Sequence, residues 1–136
     1  MQNINVKTLS VNNKKFFIYW LQFLKPYHKL RNKEIEMLSL FLVKRHELSQ
    51  KIKDDELIDK LLFDKNIKAE IRKEMEYTTY QVFNNMMTSL RNKGAIINNK
   101  INKGLIPNYN NETKNFKLIF NFNITDESGH SAEKDS

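Results

Sequence analysis

The apolar positions in the first three-quarters of the chain recur at helical spacing. The first cluster is the run KKFFIYWLQFL at residues 14–24, which ends before Pro26. A helix that is apolar on most sides has to be covered on most sides, either by the rest of its domain or by a subunit interface. The residues of its main stripe, through which a homodimer or higher oligomer would form, are Phe16, Phe17, Trp20, Leu21 and Leu24.

Two more amphipathic helices are predicted before residue 65. One begins near Asn32, with Asn32 as its N-cap and two acidic residues in its first turn, and runs to about His46. Asp54, Asp55 and Glu56 lie at the start of the next, where carboxylates suit the positive N-terminus of a helix. The apolar stripe of the first is Ile35, Leu38, Phe41 and Leu42, and that of the second is Leu57, Ile58, Leu61 and Leu62.

Residues 66–92 predict two helices separated by a short turn. Ile67, Ile71 and Met75 are spaced four apart, which is typical of a short amphipathic helix. Residues 76–78 interrupt that pattern, and Thr78 or Thr79 can cap a following helix over 79–92. The buried seam of that helix is Phe83, Met87 and Leu90, and Gly94 ends it as a C-cap.

The C-terminal third changes to strand-like patterns. Residues 95–101 are predicted to be a strand, 102–115 a polar loop, and 116–124, FKLIFNFNI, a second strand that alternates except at Ile119. Two strands joined by a loop predict an antiparallel hairpin. The predicted fold class is therefore mainly α with a C-terminal β-hairpin.

Composition narrows the possible classes of protein. The 136 residues include no cysteine, which excludes a disulfide scaffold, a thiolate metal site and a cysteine nucleophile. No run approaches the 18 apolar residues of a membrane span, and the first ten residues do not form a signal sequence. The expected location is therefore the cytoplasm. The abundance of Lys, Asn and Ile is typical of an AT-rich genome, which weakens the basic composition as evidence for a nucleic-acid partner.

Charge is distributed unevenly along the chain. The formal charge of +7 divides into +8 for residues 1–53, −3 for 54–76, +5 for 77–124 and −3 for 125–136. Between residues 77 and 124 the single acid is Glu112. Residues 125–136 lack an apolar anchor and are predicted to be a disordered acidic tail.

The stretch EIRKEMEYTTYQVFNNMMTSLRNKGAI, residues 70–96, resembles the winged helix-turn-helix family. Ile71 and Met75 match the apolar positions of the first helix of that motif, and Tyr77 matches the apolar residue of a turn that is one residue longer than usual. The match continues from recognition helix to wing through Phe83, Met87, Leu90, Gly94 and Ile96. The resemblance covers 32–124, so 1–31 would be an arm and apolar helix that precedes the winged-helix domain.

A looser resemblance is to small winged-helix proteins of crAss-like bacteriophages. It rests on the stretch NKEIEMLSLFLVKRHELSQKI and on the ending KLIFNFNI. It implies a phage-encoded protein of the host cytoplasm or the virion.

The winged-helix resemblance implies that the helix at 79–92 enters the major groove of double-stranded DNA. Asn and Gln can make paired hydrogen bonds to adenine, and Thr or Tyr can contact phosphate or a thymine methyl. The candidates for contacts on this helix are Thr79, Tyr80, Gln81, Asn84, Asn85 and Thr88. The candidates for the DNA backbone are Arg91, Lys93 and the wing residues Lys100, Lys103, Lys114 and Lys117.

Two functional hypotheses stay open. The first is a DNA-binding phage-type regulator or an accessory factor of replication or packaging. The second is a virion structural protein, such as a neck or tail connector or a ring, that docks on protein, because the helix carries no Arg or Lys before Arg91. An enzyme is not predicted: nucleotide-binding and metalloprotease motifs are missing, the three histidines are dispersed, and no cofactor or metal is implied.

Overall fold

The structure is a computed structural model that describes residues 5–109, 112 and 114–126. Its helices are α1 (Asn13–Phe23), α2 (Lys25–His28), α3 (Asn32–Ser49), α4 (Asp55–Leu62), α5 (Lys65–Glu74) and α6 (Tyr80–Asn92). An antiparallel hairpin follows, formed by β1 (Ile96–Ile97) and β2 (Lys100–Ile101), and then a 3-10 turn at Lys103–Leu105. The described part of the chain is mainly helical with a small hairpin near its C-terminal end.

Side-chain caps set the start of most helices. Asp54 accepts a hydrogen bond from the Glu56 amide at 3.0 Å, and Thr79 accepts one from the Val82 amide at 3.4 Å, as the sequence predicted for α4 and α6. The prediction for α3 was wrong by one residue. Arg31 is its N-cap, Asn32 is its first helical residue, and the helix continues past His46 to Ser49.

The core forms around α3. Phe17 and Leu21 of α1 are 3% and 0% exposed and pack with Leu38 and Phe41 of α3 in one apolar cluster. The Trp20 indole Nε1 donates to the Leu105 carbonyl at 2.9 Å, which joins α1 to the end of the 3-10 turn. The apolar helix is therefore covered by its own chain, and Phe17 and Leu21 lie inside the domain instead of at a subunit interface.

The position of the hairpin differs from the prediction. The segment expected as one strand, 95–101, is folded back on itself, with Ile96 paired to Ile101 and Ile97 to Lys100. Asn98 and Asn99 have φ values of 52° and 55°, the left-handed conformation that a two-residue type I′ turn requires and that Asn tolerates. The long hairpin between 95–101 and 116–124 is absent from the described residues.

Residues 116–124 form no strand; the rings of Phe116 and Phe120 pack on α1 instead. The Phe116 ring lies 4.9 Å from Phe16 and 5.8 Å from Trp20, measured between centroids.

Leu57, expected in the buried stripe of α4, is 43% exposed, whereas Ile58 and Leu62 are buried. Most of the predicted acidic tail, residues 127–136, lies outside the described residues.

Gly94 ends α6 with a φ of 77°, as its predicted role as a C-cap requires. The Ala95 amide then donates to the Leu90 carbonyl at 2.9 Å. A Cβ at Gly94 would have no neighbour within 4 Å, so replacement by alanine introduces backbone strain alone. We expect Gly94→Ala to lower the free energy of unfolding by about 1 kcal/mol in urea denaturation. The matched control, Gly104→Ala, has no left-handed φ to strain and should be neutral or slightly stabilising.

Candidate nucleic-acid interface

Helix α6 presents one apolar face to the core. Its seam of Phe83, Met87 and Leu90 is 2%, 2% and 0% exposed, so the predicted inward direction of these residues is confirmed. The cap at Thr79 and the left-handed Gly94 bound the helix at its two ends. The direction of every other side chain on α6 follows from this seam.

The opposite face of α6 is a polar, uncharged stripe. Gln81, Asn85, Thr88 and Asn92 are spaced four, three and four residues apart and are all exposed. At 1.5 Å per residue this stripe is about 17 Å long. Asn92 was not among the residues predicted to contact DNA, although helical spacing from Gln81 and Asn85 identifies it. Asn84 is exposed beside the stripe.

Gln81 and Asn85 form a hydrogen-bonded pair on this stripe. The Gln81 Nε2 donates to Asn85 Oδ1 at 3.1 Å. The Gln81 carbonyl oxygen and the Asn85 amino group then remain as one acceptor and one donor. Adenine presents the complementary pattern in the major groove, a donor at N6 and an acceptor at N7.

The start of α6 is held by contacts that the sequence did not reveal. The Arg72 guanidinium of α5 lies 4.1 Å from the centroid of the Tyr80 ring, a cation–π contact across the turn. Arg72 Nε is buried without a hydrogen-bond partner among the described atoms. Tyr80 is nevertheless 60% exposed, and Thr79 serves as the N-cap. No spacing rule links residues 72 and 80, because the turn between the helices decides their approach.

A buried carboxylate ties the end of α6 to the start of α3. Glu34 is 0% exposed and accepts hydrogen bonds from Ser89 Oγ, from Lys93 Nζ at 2.6 Å and from the Arg31 amide at 2.8 Å. Burial alone would raise the pKa of Glu34, but the hydrogen bonds from Lys93, Ser89 and Arg31 outweigh it and lower the pKa to about 2. The Lys93 ammonium, predicted to hold DNA, is thus paired with Glu34.

The cations predicted for one wing divide into two groups. Lys100 and Lys103 are exposed on the hairpin and the 3-10 turn that directly follow α6, and Arg91 is exposed in its last turn. Lys114 and Lys117 flank Phe116, which packs on α1. Arg91, Lys100 and Lys103 are therefore carried by the end of α6 and the two short elements that follow it, whereas Lys114 and Lys117 lie beside Phe116.

A pocket of about 400 Å³ lies between α2, the end of α6 and the 3-10 turn. Two of its polar side chains already have partners: His28 Nε2 lies 2.6 Å from the Leu21 carbonyl oxygen, and Asn102 Nδ2 donates to the Gly94 carbonyl at 3.0 Å. Burial lowers the pKa of His28, which favours the neutral ring that accepts from the Leu30 amide. The arrangement offers no converging set of polar groups for a cofactor, and the described residues hold no cluster suited to a metal ion.

The comparisons with known proteins return nothing for this chain. No protein-family model matches it, and neither does a curated protein or a solved structure. Among the described helices, none combines the length and apolarity that crossing a membrane demands. Function is therefore inferred from the geometry of α6 and its surroundings.

Proposed function

We propose that this protein binds double-stranded DNA as a winged helix-turn-helix, with α6 in the major groove and the β1–β2 hairpin beside the flanking backbone. The observation that carries the proposal is the exposed amide stripe of α6, on a helix whose other face is fixed in the core. A phage-type regulator or an accessory factor of replication or packaging would use such a surface.

The stripe suits base recognition better than phosphate binding. Its length of about 17 Å corresponds to about five base pairs at 3.4 Å each. The Gln81–Asn85 pair offers the donor and acceptor that adenine requires, and the Thr88 methyl group suits a thymine methyl. These groups can distinguish bases, but they are uncharged and neutralise no phosphate. Most of the affinity for DNA therefore has to come from nearby cations.

The cations lie toward the C-terminal end of α6. Arg91, Lys100 and Lys103 are exposed there, and residues 77–109 contain no acid in sequence. Glu74 at the end of α5 and Glu76 in the turn before α6 are exposed, and they would repel phosphates there. This asymmetry favours a docking mode in which the backbone crosses the hairpin end of the helix.

The salt dependence of duplex binding tests the proposal. If Arg91, Lys100 and Lys103 each neutralise one phosphate, log Kd should change with log salt at a slope of about 2.7, so that affinity falls about 40-fold between 50 and 200 mM salt. The double variant Lys100→Gln/Lys103→Gln should reduce the slope to about 0.9. Fluorescence anisotropy with a labelled random duplex measures both values.

The control for this experiment is Lys51→Gln/Lys53→Gln, which removes the same charge after the C-terminal end of α3. Glu34, beside the end of α6, lies about 22 Å away along that helix. The control variant should keep the native slope. A native protein without duplex affinity at 50 mM salt would rule the proposal out, and equal slopes for the two double variants would rule out the hairpin as the phosphate contact.

A second candidate function is docking on a protein of the phage virion through the same face of α6. It is favoured by the lack of a cation on α6 before Arg91 and by Val82, whose apolar side chain is 43% exposed. Binding through this face would be insensitive to salt and would be weakened by Val82→Ser, whereas duplex binding should tolerate that substitution.

A further inference from the structure

The segment 114–126, which we call the C-terminal arm, lies along α1 and continues beyond the end of that helix. Phe116 contacts Phe16 and Trp20, and the Phe120 ring lies 5.6 Å from Phe23, so the arm runs in the direction of the helix. Residues 116–124 in extended form span about 26 Å, whereas α1 advances about 10 Å between Phe16 and Phe23. Helix α1 ends at Phe23, so the next alternate residues of the arm, Phe122 and Ile124, lie beyond the helix and are not covered by it.

The far half of the arm exposes large apolar side chains. Phe122 is 85% exposed and Ile124 is 71% exposed, and on the other side of the arm Ile119 is 83% exposed. Apart from a single bridge at Thr125, the arm belongs to no regular element. Its composition of aromatic and β-branched residues at alternate positions is that of a strand, and exposed strand-like segments of this kind are sites of pairing with another chain.

We propose that the arm pairs with the arm of a second copy of this chain, antiparallel and about a two-fold axis. The charges select this occupant, since Lys114 and Lys117 lie at the start of the arm and Asp126 lies at its end. An antiparallel pair places the basic start of each arm beside the acidic end of the other, and a parallel pair would place like charges together.

One register satisfies both the charges and the apolar face. With Phe120 opposite its own counterpart, Leu118 faces Phe122, Phe116 faces Ile124 and Lys114 faces Asp126. Residues directly opposite in an antiparallel pair share one face, so Phe122 and Ile124 of one copy lie beside residues of the other copy that already pack toward its α1. Each arm contributes the same residues to the contact, so the interface is isologous and closes at a dimer.

This interface differs from one formed by α1 itself. Phe17 and Leu21 of α1 are buried within the chain, and the arm packs on the half-buried Phe16 and Trp20, so the most exposed apolar side chains belong to the arm. The inference does not depend on DNA binding, and it can hold or fail independently of it.

Sedimentation equilibrium tests the proposal with the full chain. The native protein should reach twice the chain mass of 16.3 kDa at micromolar concentration, and Phe122→Ser/Ile124→Ser should weaken the dimer at least 100-fold. Both substituted side chains are exposed, so the monomer should stay folded by circular dichroism. The matched control is Val6→Ser/Leu9→Ser, at side chains 72% and 66% exposed on the N-terminal segment, and it should remain dimeric.

A native protein that is monomeric at 100 µM overturns the proposal, and so does a dimer that survives the arm substitutions. The register has its own test, since the chain has no cysteine. Chains carrying Ile119→Cys, mixed with chains carrying Asn121→Cys, should form a disulfide-linked heterodimer on oxidation faster than chains carrying Asn108→Cys mixed with the same Asn121→Cys chains. Equal rates would refute the register.

Discussion

Replacing Glu34 with alanine should lower the free energy of unfolding by about 3 kcal/mol. The carboxylate is fully buried, and its pKa of about 2 against an ordinary value of 4.5 shows that the folded state stabilises the charged form. Its loss leaves Ser89 and Lys93 without their acceptor and removes the contact between the end of α6 and the start of α3. Urea denaturation at pH 7 measures the change.

The matched control is Glu36→Ala, two residues along the same helix. Glu36 pairs with Lys33 at 3.3 Å, but its side chain is 42% exposed and that of Lys33 is 70% exposed. Exposed pairs contribute little, so the control should lose less than about 1 kcal/mol. A Glu34→Ala loss no larger than that of Glu36→Ala would show that the buried network does not stabilise the fold.

The same carboxylate gives the stability a defined pH dependence. Because the folded pKa of Glu34 lies below the unfolded value, its contribution is fully present above pH 4.5 and is lost as the pH falls toward 2. In that interval the native free energy of unfolding should decrease by up to about 1.4 kcal/mol per pH unit on account of this group alone. Glu34→Gln should remove that part of the pH dependence. Above pH 5 the difference in free energy of unfolding between the variant and the native protein should not change with pH.

Replacing Gln81 or Asn85 with alanine should weaken binding to a cognate duplex by about 1–3 kcal/mol, which is about 5- to 150-fold. The two amides are exposed and bonded to each other, so neither contributes to the core, and the loss should fall on base recognition. The cognate duplex is one selected from a random library with the native protein. Titration of each variant against that duplex and against a scrambled one measures the effect.

The control for this experiment is Asn108→Ala, an exposed amide that precedes Tyr109, whose ring packs on Phe16 of α1. It should bind both duplexes like the native protein. Equal losses on the cognate and scrambled duplexes would mean that Gln81 and Asn85 do not read bases. Failure of the selection to enrich any sequence would contradict base recognition by α6 as a whole.

Local signals gave a good account of the helices. The spacing of Phe83, Met87 and Leu90 predicted which side of α6 is buried, and therefore which side is available to a ligand. Asp54, Thr79 and Gly94 marked helix ends correctly because caps act on amides and carbonyls within four residues. Most of the candidate interface on α6 could be predicted for the same reason, since a helix places residues three and four apart on one face.

Contacts between residues that are far apart along the chain could not be predicted from the sequence. The sequence predicted Glu34 as one of two acidic residues in the first turn of α3, and only the approach of Ser89 and Lys93, 55 and 59 residues away, makes it a buried anchor. The same contact pairs Lys93, which the sequence predicted as a DNA contact, with Glu34. Arg72 meets Tyr80 because of the turn between α5 and α6, and nothing in their spacing predicts that contact.

By itself, the sequence determined the described helices other than α2, the inward seam of α6, its amide-bearing outer face and the uneven charge, because periodicity and capping are local properties of a chain. The tertiary structure decided where the hairpin forms, which cations accompany α6, and what covers α1. Residues 116–124 carry a strand pattern that would suit a long hairpin. Phe116 finds an aromatic surface on α1 instead, and the Asn98–Asn99 turn closes the hairpin within residues 96–101. Choices of this kind depend on which surfaces remain uncovered when the helices pack, and no local pattern contains that information.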